Sequence, residues 1–350
     1  MTIYDIAKAA GVSPSTVSRV INNKKGINEE TRRRVQKLLE ENNYICNETA
    51  RGLSMQSTKI IGILLEDIRV SHHTESVYVI EQEMTRKGYT CIIFSTGRTE
   101  EQRARCIKIL EQRRVDGAIL MGSMFETREM AALLKDHLSN IPVVIANGYL
   151  DLPNVYGVLV DERKGVEDCV EYLARLGYKR PAFVKSEETP SIQNKLNGFL
   201  AGMETLGFSK KEALIYDAQC LEADPALTME QGRWVTEKLV REHPEIDSIV
   251  YSVDILAVGG LMKLEELGIS VPGEMGVIGI NNTLYGRICK PSLTTLNNKL
   301  VETSKNASRI LLDALNKHET SHKIMLFTDI VERDSTGKFI PSVPSGNISP

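Results

Sequence analysis

Small and apolar side chains at Ile3, Ile6, Ala7 and Ala10 recur at helical spacing, and Gly11 follows where a helix end needs a left-handed residue. Ser13 is a natural N-cap with Pro14 at the first helical position, and Val17, Val20 and Ile21 give a second helix one inward face. A third helix is predicted from the Asn28 cap through Glu29, Glu30, Thr31 and Arg32 to about Asn42, with Val35, Leu38 and Leu39 turned inward. Two short helices joined by a tight glycine-containing turn are the helix-turn-helix arrangement. Its second helix enters a DNA major groove and presents N-terminal residues to base edges. Ser15, Thr16, Ser18, Arg19 and Asn22 are the exposed candidates there.

From Lys59 onward the pattern changes. Apolar runs at 60–65, 89–94, 117–121 and 142–146 alternate with amphipathic helical patterns near 75–87, 100–113 and 127–138. After a break near Asp161 the rhythm returns, with the clearest strands at 181–184, 248–251 and 276–280. Near-continuous apolar strands between helices predict parallel sheets covered on both faces. The fold class is therefore α/β: a three-helix head followed by two doubly wound parallel-sheet lobes. In such sheets ligands bind outside the carboxyl ends of the strands, which places a ligand cleft between the lobes.

Charge sharpens the division. Nine basic against six acidic side chains leave +3 in residues 1–57, so with a net charge of −3 the remainder carries −6. A basic head on an acidic body suits a polyanion at one end only. No apolar run approaches the ~18 to 20 residues of a membrane span, and the chain opens on Met1-Thr2-Ile3-Tyr4-Asp5 rather than on a basic-then-apolar leader, so no membrane partner and a cytoplasmic location are expected. The six cysteines show no C-x-x-C spacing and read as reduced structural thiols. Neither G-x-G-x-x-G nor G-x-x-x-x-G-K-[ST] occurs, and no cofactor is expected. His318-Glu319-Thr320-Ser321-His322 matches H-E-x-x-H, but zinc hydrolysis requires both histidines on one helical face, and here the match falls after the last helical pattern with a strand at 323–327 behind it.

Thr2-Ile3-Tyr4-Asp5-Ile6-Ala7, Ala10-Gly11-Val12-Ser13, Thr16-Val17-Ser18-Arg19-Val20-Ile21-Asn22 and Thr31-Arg32 resemble, almost residue for residue, the head of the LacI/GalR (lactose-repressor) family of bacterial transcription regulators. The resemblance continues through Tyr44-Ile45-Cys46-Asn47-Glu48-Thr49-Ala50-Arg51-Gly52-Leu53, which in that family is a hinge helix whose paired leucines wedge open a minor-groove step. Cys46 replaces the family's usual proline, and Gly52 inside the hinge costs about 1 kcal/mol relative to Ala. The resemblance implies DNA contacts from Thr2, Tyr4, Ser13, Ser15, Thr16, Ser18, Arg19, Asn22, Asn28, Thr31, Tyr44, Asn47, Ala50, Arg51 and Leu53. It implies a head at 1–45, a hinge at 46–58 and a two-lobed effector-binding and dimerisation body at 59–340. The first lobe would take about 59–160 and 290–322 and the second about 161–289 and 323–340, leaving a flexible tail at 341–350.

Looser landmarks extend over the body, among them Asp116-Gly117, Gly198-Phe199 and Pro291-Ser292-Leu293-Thr294-Thr295. Sugar-responsive members grip hydroxyls with carboxylates and an arginine, and here Asn147, Lys195 and Asn281 stand at those places. Arg69, His72 and His73, in a loop expected after the first strand, join Lys195 in pointing to an anionic or other non-standard effector. Asp254 is expected to cap the helix that follows it, with a ligand contact as the alternative. The expected partners are a palindromic double-stranded DNA operator, a small-molecule effector (a sugar derivative or an anionic metabolite) and a second copy of the chain. A solute-binding protein with the same body is the other reading, weakened by the added head.

Overall fold

In the computed structural model of the chain, the structure describes residues 2–21, 24–42, 57–220 and 224–339. The chain forms two compact units, Met1–Thr58 and Lys59–Pro350.

The first unit contains α1 (Ile3–Ala10), α2 (Pro14–Ile21) and α3 (Glu29–Glu41). Thr2 and Asp5 form a reciprocal capping box at the start of α1, and Gly11 stops it at φ 65°. The Ser13 hydroxyl accepts the Thr16 amide at 3.2 Å, and Asn28 Oδ1 accepts the Glu30 amide at 2.9 Å, opening α2 and α3. Ile6, Ala7, Ala10, Val17, Val20 and Val35 close into one small core. Asn22 and the stretch 43–56, with every hinge residue named above from Tyr44 to Leu53, lie outside the described residues, as does the tail at 341–350.

The second unit contains two six-stranded sheets. The first orders its strands β2 (Thr90–Ser95), β1 (Ile60–Leu65), β3 (Gly117–Met121), β4 (Val143–Ala146), β5 (Val155–Val160) and β11 (Lys323–Leu326), every pair parallel. The second orders β7 (Leu214–Asp217), β6 (Pro181–Lys185), β8 (Ser248–Tyr251), β9 (Gly276–Ile280), β10 (Thr294–Asn297) and β12 (Asp329–Val331), with only β12 antiparallel. Side chains alternate across each sheet, so each has two cores. Ile61, Ile63 and Leu65 pack toward α4 (Ser71–Thr85) and α12 (Leu300–Leu315), whereas Leu64 packs toward α5 (Glu100–Gln112) and α6 (Arg128–His137). In the second sheet Phe183 meets α7 (Glu162–Leu176) and α8 (Pro190–Thr205), Ala182 and Val184 meet α9 (Pro225–Glu242) and α10 (Asp254–Glu266), and the short α11 (Leu284–Ile288) follows β9.

The doubly wound lobes are those predicted, but two expected boundaries move. Residues 294–297 pair with β9 in the second sheet, and 323–326 pair with β5 in the first. The chain therefore passes between lobes after β5, between β10 and α12, and between β11 and β12. Periodicity gives the type of a strand and not its neighbour, and here the neighbour decides the lobe. α4 also starts earlier than expected, because Val70 precedes it with no side-chain cap and the sequence offers no capping signal to mark the turn. His72 and His73 consequently stand on the first turn of a helix rather than in a loop.

Candidate functional site

In the head, Tyr4, Ser13, Ser15, Arg19 and Asn28 are exposed and Thr16, Ser18 and Thr31 are half-buried. The Ser13 hydroxyl lies 2.7 Å from that of Ser15 and 2.9 Å from that of Thr16, so three hydroxyls cluster at the N-terminus of α2. A helix N-terminus carrying free donors is suited to a phosphate or a base edge. Arg19 and Arg32 donate to the carbonyls of Lys25 and Lys24, at 3.1 and 2.9 Å, and fix the turn that leads into α3.

In the body, strand ends from both lobes converge on a cavity of about 180 Å³. The residue just beyond each strand supplies much of its wall: Glu66 after β1, Gly122 and Ser123 after β3, Asn147 after β4, Ser186 and Glu187 after β6, Asn281 after β9 and Asn298 after β10. This is the location that the rule for open α/β sheets demands. Asn147 and Asn281 have φ of 63° and 108°, a left-handed turn that asparagine tolerates better than other side-chain-bearing residues, and they line the cavity as well.

Each cation of the cavity is held by a carboxylate. Lys195 is 3% exposed and places its ammonium 3.4 Å from Glu162 Oε1 and 3.3 Å from the Ser252 carbonyl. The same Glu162 oxygen accepts from Asn298 Nδ2 at 2.8 Å and Asn147 Nδ2 at 3.4 Å. Arg98 reaches across from the first lobe: held by Glu66, it meets Glu187 at 3.2 Å and donates to the Cys220 carbonyl of the second. Burial, reinforced by the Glu66 charge, pushes the Glu187 carboxyl above the usual range, against the pull of Arg98 and Lys195. Ser191 N donates to Ser123 Oγ at 2.9 Å, a further bond between the lobes. Asn298 Oδ1 and Thr303 Oγ1, both buried in the cavity wall, have no partner among the described residues. Buried polar atoms are nearly always hydrogen-bonded, so the Asn298 oxygen is a place for a ligand's donor and the Thr303 hydroxyl for either a donor or an acceptor.

Comparison with known proteins gives this geometry its context. Residues 2–47 match the model of bacterial regulatory proteins of the lacI family, and residues 170–336 match a periplasmic binding protein-like domain. A helix-turn-helix-type transcriptional regulator of Lachnoclostridium phytofermentans is 29% identical over 338 residues, covering 96% of this chain and 99% of that protein. Residues 2–47 are thus a lacI-family head, and the chain is similar over nearly its full length to a transcriptional regulator. Among solved structures, the lac repressor dimer bound to operator and the anti-inducer ONPF superposes with a TM-score of 0.84 at 22% identity, over 96% of this chain and 99% of that one. A LacI-family regulator from Enterococcus faecium with bound ribose superposes with a TM-score of 0.69 at 22% identity, over 80% of this chain and 99% of that one. Like these relatives, the protein is a transcriptional regulator and not an enzyme.

Several expected roles change. Arg69 does not line the cavity of this regulator: its guanidinium is held by Asp67 at 2.8 Å and Asp224 at 2.7 Å. Burial lowers the pKa of both histidines, that of His72 well below the ordinary value, so neither supplies a cation near neutrality. His73 contacts the Asp67 carbonyl at 3.1 Å through Nδ1. With Lys195 already matched by Glu162, the basic cluster that pointed to an anionic effector is not there. Asp254 does not cap α10 either; its carboxylate accepts from Thr283 N at 2.6 Å, Thr283 Oγ1 at 2.9 Å and Thr295 Oγ1 at 2.6 Å, and burial still raises its pKa to about 6.

The guanidinium and carboxylates thought lost are supplied from other positions, by Arg98, Glu66, Glu162 and Glu187, and Tyr285 adds an aromatic wall. Sequence reasoning missed them, although the rule of looking one residue past each strand end finds Glu66. Finally, the segment from His318 to His322 is not helical, and His322 lies against the Val155 carbonyl at 3.2 Å. Its two histidines do not share a helical face, and the described residues contain no cluster of three metal-binding side chains.

Proposed function

We propose that the chain works in the cytoplasm as a homodimer that binds a palindromic DNA operator through its heads and a small polyhydroxylated effector between its lobes, the effector setting operator affinity. The observation that carries the effector reading is the cavity itself. Both of its cations, Lys195 and Arg98, are already held by carboxylates, its unpartnered groups are the amide oxygen of Asn298 and the Thr303 hydroxyl, and Tyr285 offers an aromatic face. Such a lining suits hydroxyl groups and is poorly suited to a phosphate or carboxylate, which would find no uncommitted cation. The ribose-bound structural neighbour supports the same class. Ser13, Ser15, Thr16, Ser18 and Arg19 carry the DNA reading, and one head reads only a half-site, so two copies and a two-fold operator follow. Leu284 and Ile288, 63% and 66% exposed on one short helix, offer apolar surface for pairing.

The test has two arms. Selection from a randomised DNA pool with the full chain should enrich a palindrome, and a chain lacking residues 1–57 should enrich nothing. A thermal-shift screen should raise the melting temperature with sugars or polyols and not with their phosphates. Enrichment by the truncated chain, or stabilisation confined to phosphorylated and acidic ligands, contradicts the proposal.

A further inference from the structure

Carboxylates outnumber cations around the cavity. Lys195 is matched one to one by Glu162 at 3.4 Å. Arg98 serves two carboxylates, Glu66 of its own lobe and Glu187 of the other at 3.2 Å, and the Cys220 carbonyl besides. Burial disfavours the charged forms of His72 and His73 beside them. Asp254, also in the wall, is occupied by the Thr283 amide and the Thr283 and Thr295 hydroxyls, and Glu66 and Glu187 are left to share one cation between them. In the same cavity Asn298 Oδ1, which can only accept, and Thr303 Oγ1 stand without partners on residues 4% and 6% exposed.

We propose that the effector carries a protonated amine, as an amino sugar or similar amine-bearing polyol does, with the ammonium received beside the Glu66–Glu187 pair and hydroxyls reaching Asn298 and Thr303. This rests on the reading of the cavity as the effector site and narrows it. An ammonium brings three donors and no acceptor, which is the complement of a wall with acceptors in excess. A neutral sugar leaves this pair with its one cation, and a phosphate is repelled by it. A charge-assisted hydrogen bond to a carboxylate corresponds to about 10- to 100-fold in affinity.

The experiment is titration calorimetry of the full chain at about pH 6.5 with glucose, galactose and mannose, each as the parent sugar, the 2-amino-2-deoxy sugar and the 6-phosphate. At least one amino sugar is expected to bind tenfold or more tighter than its parent, with the 6-phosphate weakest. Glu187→Gln keeps a group for Arg98 and removes the excess charge. It should reduce the amine preference, read as the ratio of the two dissociation constants, to threefold or less, and Glu66→Gln should do the same if Glu187→Gln does not fold. A parent sugar that binds as well as its amine overturns the amine inference and leaves the effector reading in place. An amine preference unchanged in both variants overturns its assignment to this pair. Tighter binding of a 6-phosphate overturns the charge argument, and heat from none of the nine compounds overturns the polyol reading together with the amine.

Discussion

Replacing Lys195 with Met tests whether the ion pair in the cavity wall is built as described. The side chains of Lys195 and Glu162 are 4% and 1% exposed, so neither charge can turn to bulk water when its partner is removed. Lys195→Met leaves Glu162 with two amide donors, Asn298 at 2.8 Å and Asn147 at 3.4 Å, and no cation. Breaking a buried pair from one side costs about 3–5 kcal/mol, mostly the penalty on the stranded charge. For a body of this size that corresponds to a melting temperature lower by roughly 5–8 °C. The double variant Lys195→Met, Glu162→Gln removes both charges and keeps an acceptor for the amides. It should be at least about 1 kcal/mol more stable than the sum of the single effects predicts. Thermal and urea unfolding of the full chain, followed by circular dichroism, measures all four corners of the cycle. A Lys195→Met melting temperature within about 2 °C of the parent, or strictly additive effects, refutes the buried pair.

Asp254 has a folded pKa of about 6, above its ordinary 3.8, so its proton binds more tightly in the folded state and its contribution to stability rises as pH falls. Relative to Asp254→Asn, the parent should gain about 1 kcal/mol between pH 7.5 and pH 5, read from urea midpoints; a constant difference contradicts the assignment. A Cβ at Gly259 would lie 2.0 Å from the Met229 carbonyl, so Gly259→Ala forces α9 and α10 apart. It should destabilise the body by about 1–3 kcal/mol despite alanine's higher helix propensity, and an unchanged or raised urea midpoint denies the close approach. Ser13→Ala removes the hydroxyl that accepts the Thr16 amide and touches Ser15 and Thr16. It should weaken binding to the selected operator, by loss of about 1 kcal/mol of head stability at least, without altering ligand-induced stabilisation of the body; unchanged DNA binding rejects its role.

The parts of this structure that sequence reasoning recovered are those governed by local chemistry. Helix period, the Gly11 stop and the Ser13 and Asn28 caps are written within a few residues of where they act. The interlobe pairs are not. Arg98 lies 32 residues from Glu66 and 122 from Cys220, and nothing in its neighbourhood announces either partner. Lys195 and Arg69 were read as cations available to a ligand because their matching carboxylates, Glu162, Asp67 and Asp224, are recognised only once the lobes are folded. The same blindness placed 294–297 and 323–326 in the wrong lobes. The family resemblance located the cavity, but its expected carboxylates and arginine come here from different positions, and so the chemistry of the site had to be read from geometry.

Coupling between the cavity and DNA is the centre of the account, and operator affinity with and without effector tests it most directly. The DNA enriched by the full chain would be titrated by fluorescence anisotropy at fixed salt, first alone and then with a ligand that saturates the body in the thermal-shift screen. The dissociation constant should change by about 5- to 150-fold, in either direction, as coupling free energies of about 1–3 kcal/mol require. An identical dissociation constant with the body saturated would contradict it.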